Sequence, residues 1–234
     1  MLVVDRLVKH YPSGGGEVAR ALDGACLTIE PGQLVALYGP SGSGKTTLLN
    51  IVAALLQPDS GTVTVNGHLI SALSRRDADR YRRMQLGYIS QSPDLLPGVR
   101  AIDNAALKLL GTRASPAEAR RHVAPLLERL GLESRLQHRP HELSAGQRQR
   151  VLIARALSTS PRLVLADEPT GNLDARHSHD VLRLLTEICA EQRVAMLLVT
   201  HDPQAAAFAT RVQALEGGRI APFEPPGLSV ALDR

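Results

Sequence analysis

Eight consecutive residues have the types and spacing that bind phosphate. Residues 39–46 read GPSGSGKT and match the pattern G-x-x-x-x-G-K-[ST]. Glycines let the backbone curve around phosphate groups with its N–H groups pointing inward. Lys45 supplies a charge for the outer phosphates, and the Thr46 hydroxyl can bind Mg²⁺. An apolar run precedes the motif and a helical pattern follows it, so we predict a strand, a phosphate-binding loop and a helix.

Two carboxylates follow another apolar run, at residues 163–166. Ligands of open α/β sheets bind beyond the carboxyl ends of the strands, so we expect Asp167 and Glu168 to face the phosphate loop. Asp167 is suited to Mg²⁺ binding through water, and Glu168 to act as the general base toward the attacking water. Taken alone, the pair could equally be a helix cap or surface acids.

Two more polar side chains follow predicted strands. His201 comes after the run at 194–199, where it can donate a hydrogen bond to a γ-phosphate. Gln91 follows the strand predicted at 86–89, and its amide oxygen could bind Mg²⁺ or the attacking water. Alone, His201 would more often be a cap or a surface residue, and a single glutamine after a strand indicates little.

A second anion site is predicted far from the first in sequence. Residues 143–147 read LSAGQ and lead into a helical pattern that ends at residue 157. Ser144 is a good N-cap, and the small residues after it leave the helix N-terminus open to an anion. An ordinary capped helix would have the same composition.

The pattern of elements indicates an α/β core with an inserted helical segment. Strands are predicted at 2–11, 21–29, 34–38, 62–65, 86–89, 162–166 and 194–199, with a turn at 12–16 and a closing hairpin at 211–220. Helices are predicted at 47–56, 74–83, 175–191 and 203–209. From about residue 92 to 160 strand signals vanish and helical periodicity takes over, at 102–110, 116–130 and 145–157.

Composition limits the classes of function. The 234 residues are 44% hydrophobic and carry a net charge of +4, with arginines spread over the chain and clustered at 75–83 as on a solvated helix face. Cys26 and Cys189 lie far apart, which argues against a disulfide scaffold and favours a reducing compartment. We find no signal peptide or apolar run of membrane-spanning length, so a partner would have to provide any membrane role.

Together these residues resemble the nucleotide-binding subunit of ATP-binding cassette (ABC) transporters, over about residues 2–220. Tyr11 matches the aromatic residue that stacks on adenine, residues 39–46 the first Walker motif, and 163–168 the second. Residues 144–147 match the family signature, which other phosphate-loop ATPases lack. Gln91 matches the Q-loop, residues 171–174 the D-loop and His201 the switch histidine.

The resemblance implies a fold, cofactors and partners. The fold would be a phosphate-loop NTPase core with a mixed sheet, an N-terminal antiparallel β subdomain and an inserted helical subdomain. Residues 1–220 would form one domain and 221–234 a frayed, proline-rich tail. The chain would bind ATP and Mg²⁺, hydrolyse ATP, and act with transmembrane permease subunits at the cytoplasmic face of the membrane, without nucleic acid. Two copies would enclose two ATP molecules head to tail.

The resemblance also assigns the site residues. Glu168, His201 and Gln91 would be catalytic, and Thr46, Gln91 and Asp167 would hold the metal. The nucleotide-binding set is Tyr11, Gly39, Pro40, Ser41, Gly42, Ser43, Gly44, Lys45, Thr46, Thr47, Ser144, Ala145, Gly146 and Gln147. Ala145 stands where the family usually has glycine, a change we expect to be tolerated at ordinary helical angles.

Residues 167–174, 95–97 and 139–144 resemble one branch of the family. The branch contains lipoprotein-releasing, macrolide-exporting, antimicrobial-peptide-handling and cell-division ATPases. We therefore predict a subunit that powers an exporter or a mechanotransmitting transporter. The alternative is a cell-division-type regulator that moves a membrane partner without cargo. A soluble nucleic-acid-associated ATPase ranks lower, because this chain has one cassette, no cysteine cluster and no sustained heptads. Nothing in the sequence names a cargo.

Overall fold

The structure is a computed structural model that describes residues 1–12, 18–92, 94–110, 112 and 114–223. Residues 13–16 of the predicted turn and residues 224–234 of the predicted tail lie outside this part of the chain. The strands are β1 (Leu2–Pro12), β2 (Val18–Ile29), β3 (Leu34–Tyr38), β4 (Ser60–Val65), β5 (His68–Leu69), β6 (Leu86–Ile89), β7 (Leu163–Asp167), β8 (Ala195–Thr200), β9 (Arg211–Glu216) and β10 (Arg219–Pro222).

The helices are α1 (Lys45–Val52), α2 (Arg75–Met84), α3 (Ala101–Leu110), α4 (Pro116–Arg129), α5 (Ala145–Leu157), α6 (Ala175–Gln192) and α7 (Pro203–Ala206). Short 3₁₀ turns at Glu133–Arg135 and Pro140–Glu142 connect α4 to α5. α7 is shorter than the helix predicted at 203–209. The Asp202 side chain caps its start, and the backbone N–H of Ala207, which follows its last residue, bonds back to the Pro203 carbonyl.

The strands form two sheets. The larger has six strands in the order β10-β9-β3-β8-β7-β6, in which β10 alone runs antiparallel to its neighbour. The smaller is antiparallel, in the order β2-β1-β4-β5. The larger sheet is therefore mixed, and the parallel strands β3, β8, β7 and β6 end at one edge.

Alternation along the central strands separates two hydrophobic clusters. Leu34 and Ala36 of β3 join a cluster with residues of α3, α4, α5 and α6. Val35 and Leu37 of the same strand join a second cluster with α1 and the antiparallel sheet. Because successive side chains of a strand point to opposite faces, α3, α4, α5 and α6 lie on one side of the six-stranded sheet, and α1 and the smaller sheet lie on the other.

The six-stranded sheet continues for two residues beyond residue 220, where we predicted the domain to end. β10 continues to Pro222, and Phe223 donates its backbone N–H to the Val212 carbonyl at 3.2 Å. The Phe223 ring stacks on Tyr38 with 4.9 Å between ring centroids and 5° between planes. Phe223 thus packs against the last residue of β3, the strand that leads into the phosphate loop.

Within the described residues, no helix combines the length and the apolar character that crossing a membrane requires.

Lys108 near the end of α3 makes the fold sensitive to pH. Its ammonium donates to the carbonyl of Leu86 in β6, and burial lowers the pKa of Lys108 to about 8. The lysine of an unfolded chain has a pKa of about 10.4, so between pH 8 and 10 the unfolded chain binds more protons. The contribution of Lys108 to the free energy of unfolding therefore rises with pH over that window.

We predict that Lys108→Met stabilises the chain at pH 7 by on the order of 2 kcal/mol, because methionine removes the cost of burying a charge. The gain should shrink as the pH rises from 8 to 10. Urea denaturation across this range measures both effects. Lys9→Met is the control, since Lys9 is paired with Asp59 at 2.7 Å and its loss should bring no gain at pH 7. A pH-independent gain from Lys108→Met would contradict the account.

Candidate active site

The phosphate loop needs glycine for steric reasons at two places. Gly44 has φ of +104°, and a Cβ there would lie 2.1 Å from the Ala21 carbonyl oxygen of β2. A Cβ on Gly39 would lie 2.8 Å from the Leu215 carbonyl oxygen of β9. Both carbonyls belong to strands of the two sheets, so neither backbone can move away easily. The loop is therefore enclosed by two strands that approach its backbone closely.

Lys45 is the first residue of α1 and turns back over the loop. Its ammonium donates to the Gly39 carbonyl at 2.6 Å and to the Pro40 carbonyl at 2.7 Å, and the residue is only 8% exposed. Burial lowers the pKa of Lys45, an effect that the carboxylates of Glu168 and Asp167 oppose. The ammonium is thus held beside the loop near two acids.

The side chain of Ser43 is a further sign of a phosphate cradle. Within the described residues its Oγ is buried and has no hydrogen-bond partner. Buried polar atoms in proteins are nearly always paired, so an unpaired hydroxyl in the loop leaves a donor for a ligand. The loop also begins α1, whose N-terminus is positive. This donor set fits a nucleotide phosphate.

Glu168 is held by the neighbouring strand. Its Oε2 accepts from the Thr200 hydroxyl at 3.1 Å. Its Oε1 accepts from the backbone N–H of His201 at 2.9 Å and lies 2.6 Å from His201 Nδ1. Glu168 has φ of +45°, a conformation that is costly without glycine. Three contacts therefore fix a carboxylate on a strained backbone, a combination found at functional sites.

Asp167 ends β7 beside Glu168. Burial raises the pKa of Asp167, and the charge of Glu168 also raises it, whereas the Tyr88 hydroxyl, 3.4 Å from Oδ2, and the charge of Lys45 lower it. A cation placed near this buried carboxylate would favour its charged form. Thr46 and Gln91 offer further oxygen atoms, the donor type that Mg²⁺ prefers. The residues present therefore fit a magnesium ion.

One cavity of about 610 Å³ brings most of the predicted site residues together. The predicted residues that line it are Tyr11, Ser41, Gly42, Gly44, Lys45, Thr46, Thr47, Gln91, Asp167, Glu168 and His201. Gly39, Pro40 and Ser43 are part of the loop but do not line the cavity. Side chains from two sheets and the start of α1 thus surround a single space.

Three lining residues were missed by the sequence reasoning. Ala19, Arg20 and Ala21 of β2 also line the cavity. Ala19 pairs with Tyr11 across the first two strands. The predicted second strand began at residue 21. Extending the pairing of the first two strands as far as Tyr11 would have placed these residues beside the site.

The signature residues lie outside this cavity. Ser144 caps α5, accepting from the Gln147 backbone N–H at 3.2 Å, while Gln147 Oε1 accepts from the Ser144 backbone N–H at 2.9 Å. Ala145 is the first helical residue and is not among those with positive φ, so its methyl causes no backbone strain. A Cβ on Gly146 would lie 3.2 Å from the ring of His177. The predicted N-cap is confirmed, and its anion-binding role stays a prediction.

The family model described as "ABC transporter" matches residues 22–171 of the chain. The chain is 43% identical over 221 residues to the lipoprotein-releasing system ATP-binding protein LolD of Bordetella pertussis, covering 94% of this chain and 95% of that protein. It is 46% identical over 208 residues to the macrolide export ATP-binding/permease protein MacB of Marinobacter nauticus, covering 88% of this chain and 32% of that longer protein.

Solved structures share the fold. The ATP-binding cassette MJ0796, a dimer in a post-hydrolysis state bound to ADP and Pi, has a TM-score of 0.85 and 34% identity, covering 96% of this chain and 98% of that one. CbiO1 from Clostridium perfringens, part of the transporter complex CbiONQ, has a TM-score of 0.83 and 28% identity, covering 94% and 86%. The predicted α/β fold class, with its mixed sheet and antiparallel β subdomain, is confirmed.

We predict that Gly44→Ala destabilises the chain by more than about 3 kcal/mol or abolishes nucleotide binding, because its methyl would overlap the Ala21 carbonyl. Gly42→Ala is the matched control. Gly42 also has positive φ, +81°, but a Cβ there meets no atom within 4 Å, so only backbone strain of about 1 kcal/mol is expected. Chemical denaturation measures both variants, and ATP titration measures Gly44→Ala alone, because Gly42 itself lines the nucleotide cavity. Equal effects would contradict the close approach of β2.

Proposed function

Because the chain belongs to the ABC transporter family and is an ATP-binding, ATP-hydrolysing subunit of a membrane transporter, we propose how its own residues perform the hydrolysis. The observation that carries the proposal is that Lys45, Asp167, Glu168 and His201 line one cavity with the phosphate loop.

The loop and α1 hold the triphosphate. Backbone N–H groups between Gly39 and Thr47 face the phosphates, and Lys45 exchanges its carbonyl partners in the loop for phosphate oxygens. Tyr11, which is 38% exposed at the end of β1, stacks on adenine. The Lys9 ammonium lies over the Tyr11 ring, 5.8 Å from its centre, which is within the range of a cation–π interaction.

Glu168 is the general base. Its carboxylate receives a proton from the attacking water, and the Thr200 and His201 contacts fix its direction. His201 is 64% exposed on its side chain and so can turn toward the γ-phosphate as charge develops. Thr46, Gln91 and Asp167 would hold Mg²⁺, which when bound neutralises charge on the β- and γ-phosphate oxygens.

The second half of the site comes from another copy of the chain. The capped N-terminus of α5 presents Ser144, Ala145, Gly146 and Gln147 away from the nucleotide cavity of its own chain. In a head-to-tail dimer it meets the γ-phosphate held by the partner. The related cassette MJ0796 is itself a dimer, which supports this arrangement.

The chain associates peripherally with the cytoplasmic face of a membrane through permease subunits. The names of LolD and MacB, from lipoprotein release and macrolide export, support a role in the exporter branch. We place contact with the permease on the segment after Gln91, at about residues 92–104, where Leu96 is 47% exposed. Regulation of a membrane partner without cargo transport is not favoured by these relatives.

We predict that Glu168→Gln lowers the rate of ATP hydrolysis more than about 100-fold, because glutamine keeps the shape of the side chain but cannot take a proton. Phosphate release measures the rate, and ATP affinity should change less than about threefold. The control is Glu187→Gln, an exposed glutamate of α6 paired with Arg183 at 2.9 Å, which should hydrolyse ATP normally. Hydrolysis by Glu168→Gln at the wild-type rate would mean that Glu168 is not the base.

A further inference from the structure

Arg20 lies between the two ends of the proposed nucleotide site. Ala19, just before it on β2, pairs with Tyr11. The carbonyl oxygen of Ala21, just after it, lies so close to Gly44 of the phosphate loop that a Cβ there would be 2.1 Å away. Arg20 itself lines the nucleotide cavity. A nucleotide that extends from Tyr11 to the phosphate loop therefore passes this side chain.

A bulge in β2 brings Arg20 to the same face of the strand as Asp23. Lys9 of β1 pairs with Leu22 of β2. The next residue of β1, His10, pairs with Arg20, so β2 contains one extra residue between the two pairs. Residues three apart in a regular strand point to opposite faces, but here Arg20 Nη1 lies 3.6 Å from Asp23 Oδ2. The bulge therefore gives Arg20 a carboxylate partner at the edge of the cavity.

The carboxylate of Asp23 is shared among several cations. Its Oδ2 also lies 3.6 Å from Nη2 of Arg219 in β10, and its Oδ1 lies 3.8 Å from His10 Nε2. One negative charge thus faces two guanidinium groups. Within the described residues, this cluster therefore carries net positive charge, and it reaches the nucleotide cavity through Arg20.

Arg20 can leave Asp23 at little cost. At 3.6 Å the ion pair is longer than a hydrogen bond, and the side chain of Arg20 is 66% exposed. Exposed ion pairs of this kind contribute little to stability. Arg219 remains as a partner of the carboxylate when the Arg20 guanidinium turns into the cavity.

The chemistry of the cavity favours the α-phosphate as the group that Arg20 binds. Among the described residues that line the cavity, only Lys45 and Arg20 carry a permanent positive charge. Lys45 lies at the phosphate loop, whereas Arg20 lies toward Tyr11. The α-phosphate joins the ribose to the outer phosphates, and a guanidinium group can donate two parallel hydrogen bonds to phosphate oxygens.

We propose that Arg20 is a further binding residue of the nucleotide site, whose guanidinium turns from Asp23 to the α-phosphate. ATP and ADP both carry this phosphate, so Arg20 strengthens the binding of each to the same extent. The inference rests on the proposed placement of adenine on Tyr11 and of the outer phosphates at Lys45.

The test measures the dissociation constants of ATP, ADP and 2′-deoxy-ATP for the purified full chain by isothermal titration calorimetry. The buffer contains EDTA, because hydrolysis needs the metal. Arg20→Met keeps an unbranched side chain and removes the charge. It should raise all three dissociation constants about tenfold, as expected for the loss of a hydrogen bond to a charged group.

Arg219→Met is the matched control. Arg219 lies at the same distance from Asp23, 3.6 Å, and its side chain is 75% exposed, but it does not line the nucleotide cavity. Its three dissociation constants should stay within about twofold of those of the wild type, because salt screens an exposed charge that does not contact the nucleotide.

Several results would overturn the inference. Wild-type affinities in Arg20→Met, or an equal loss in Arg219→Met, would exclude a direct contact between Arg20 and the nucleotide. A loss confined to the two triphosphates would place Arg20 at the γ-phosphate instead. A loss that is absent for 2′-deoxy-ATP would place it at the ribose hydroxyl.

Tyr11→Ala and Lys45→Met separate a failure of this inference from a failure of the proposed site. Each should weaken ATP binding. A loss in both with wild-type affinity in Arg20→Met would overturn the role of Arg20 and leave the proposed site intact. If either variant binds ATP as the wild type does, that end of the proposed site is wrong, and the inference falls with it.

Discussion

The parallel pairing of β3, β8 and β7 is the constraint on which the site depends. Tyr38 pairs with Thr200, and Asp167 pairs with Val199, so the three strands end within one residue of one another. The phosphate loop, the Thr200–His201 pair and the Asp167–Glu168 pair leave the sheet at those ends. All six residues of β8 are buried, and a shift of register by one residue would reverse every side chain. The distances within the site therefore follow from the packing of the sheet.

The elements that form the site contact one another directly. β2 of the antiparallel sheet approaches the loop at Gly44, and β8 fixes Glu168 through Thr200 and His201. The segment after Glu168 in turn reaches Gln91 through Asn172. Each contact joins elements that are far apart in sequence, so the site connects both sheets to Gln91, which directly precedes the helical segment.

Much of this could be predicted because the signals are local. An apolar run before residues 39–46 and another before Asp167 predict buried strands, and polar residues at strand ends predict a site at one edge of the sheet. Ser144 before a helical pattern predicts an N-cap, which the structure contains. Sequence resemblance supplied the role of the signature, which no local pattern could give.

The remainder depends on tertiary contacts that the sequence does not mark. The stacking of Phe223 on Tyr38 extends the fold beyond residue 220, and nothing near Phe223 names its partner. The contact of His201 with Glu168 joins residues 33 positions apart. Arg20 was overlooked because the predicted strand began one residue after it. Pairing across strands, rather than the pattern within one strand, decides these features.

The central claim is that one chain holds only half of a hydrolysis site and that ATP joins two copies. The most direct measurement is the mass of the Glu168→Gln chain by sedimentation equilibrium, with Mg-ATP and with Mg-ADP. The account predicts that the 25.1 kDa chain doubles in mass with Mg-ATP and stays single with Mg-ADP. Full occupancy by Mg-ATP with no change in mass would contradict it.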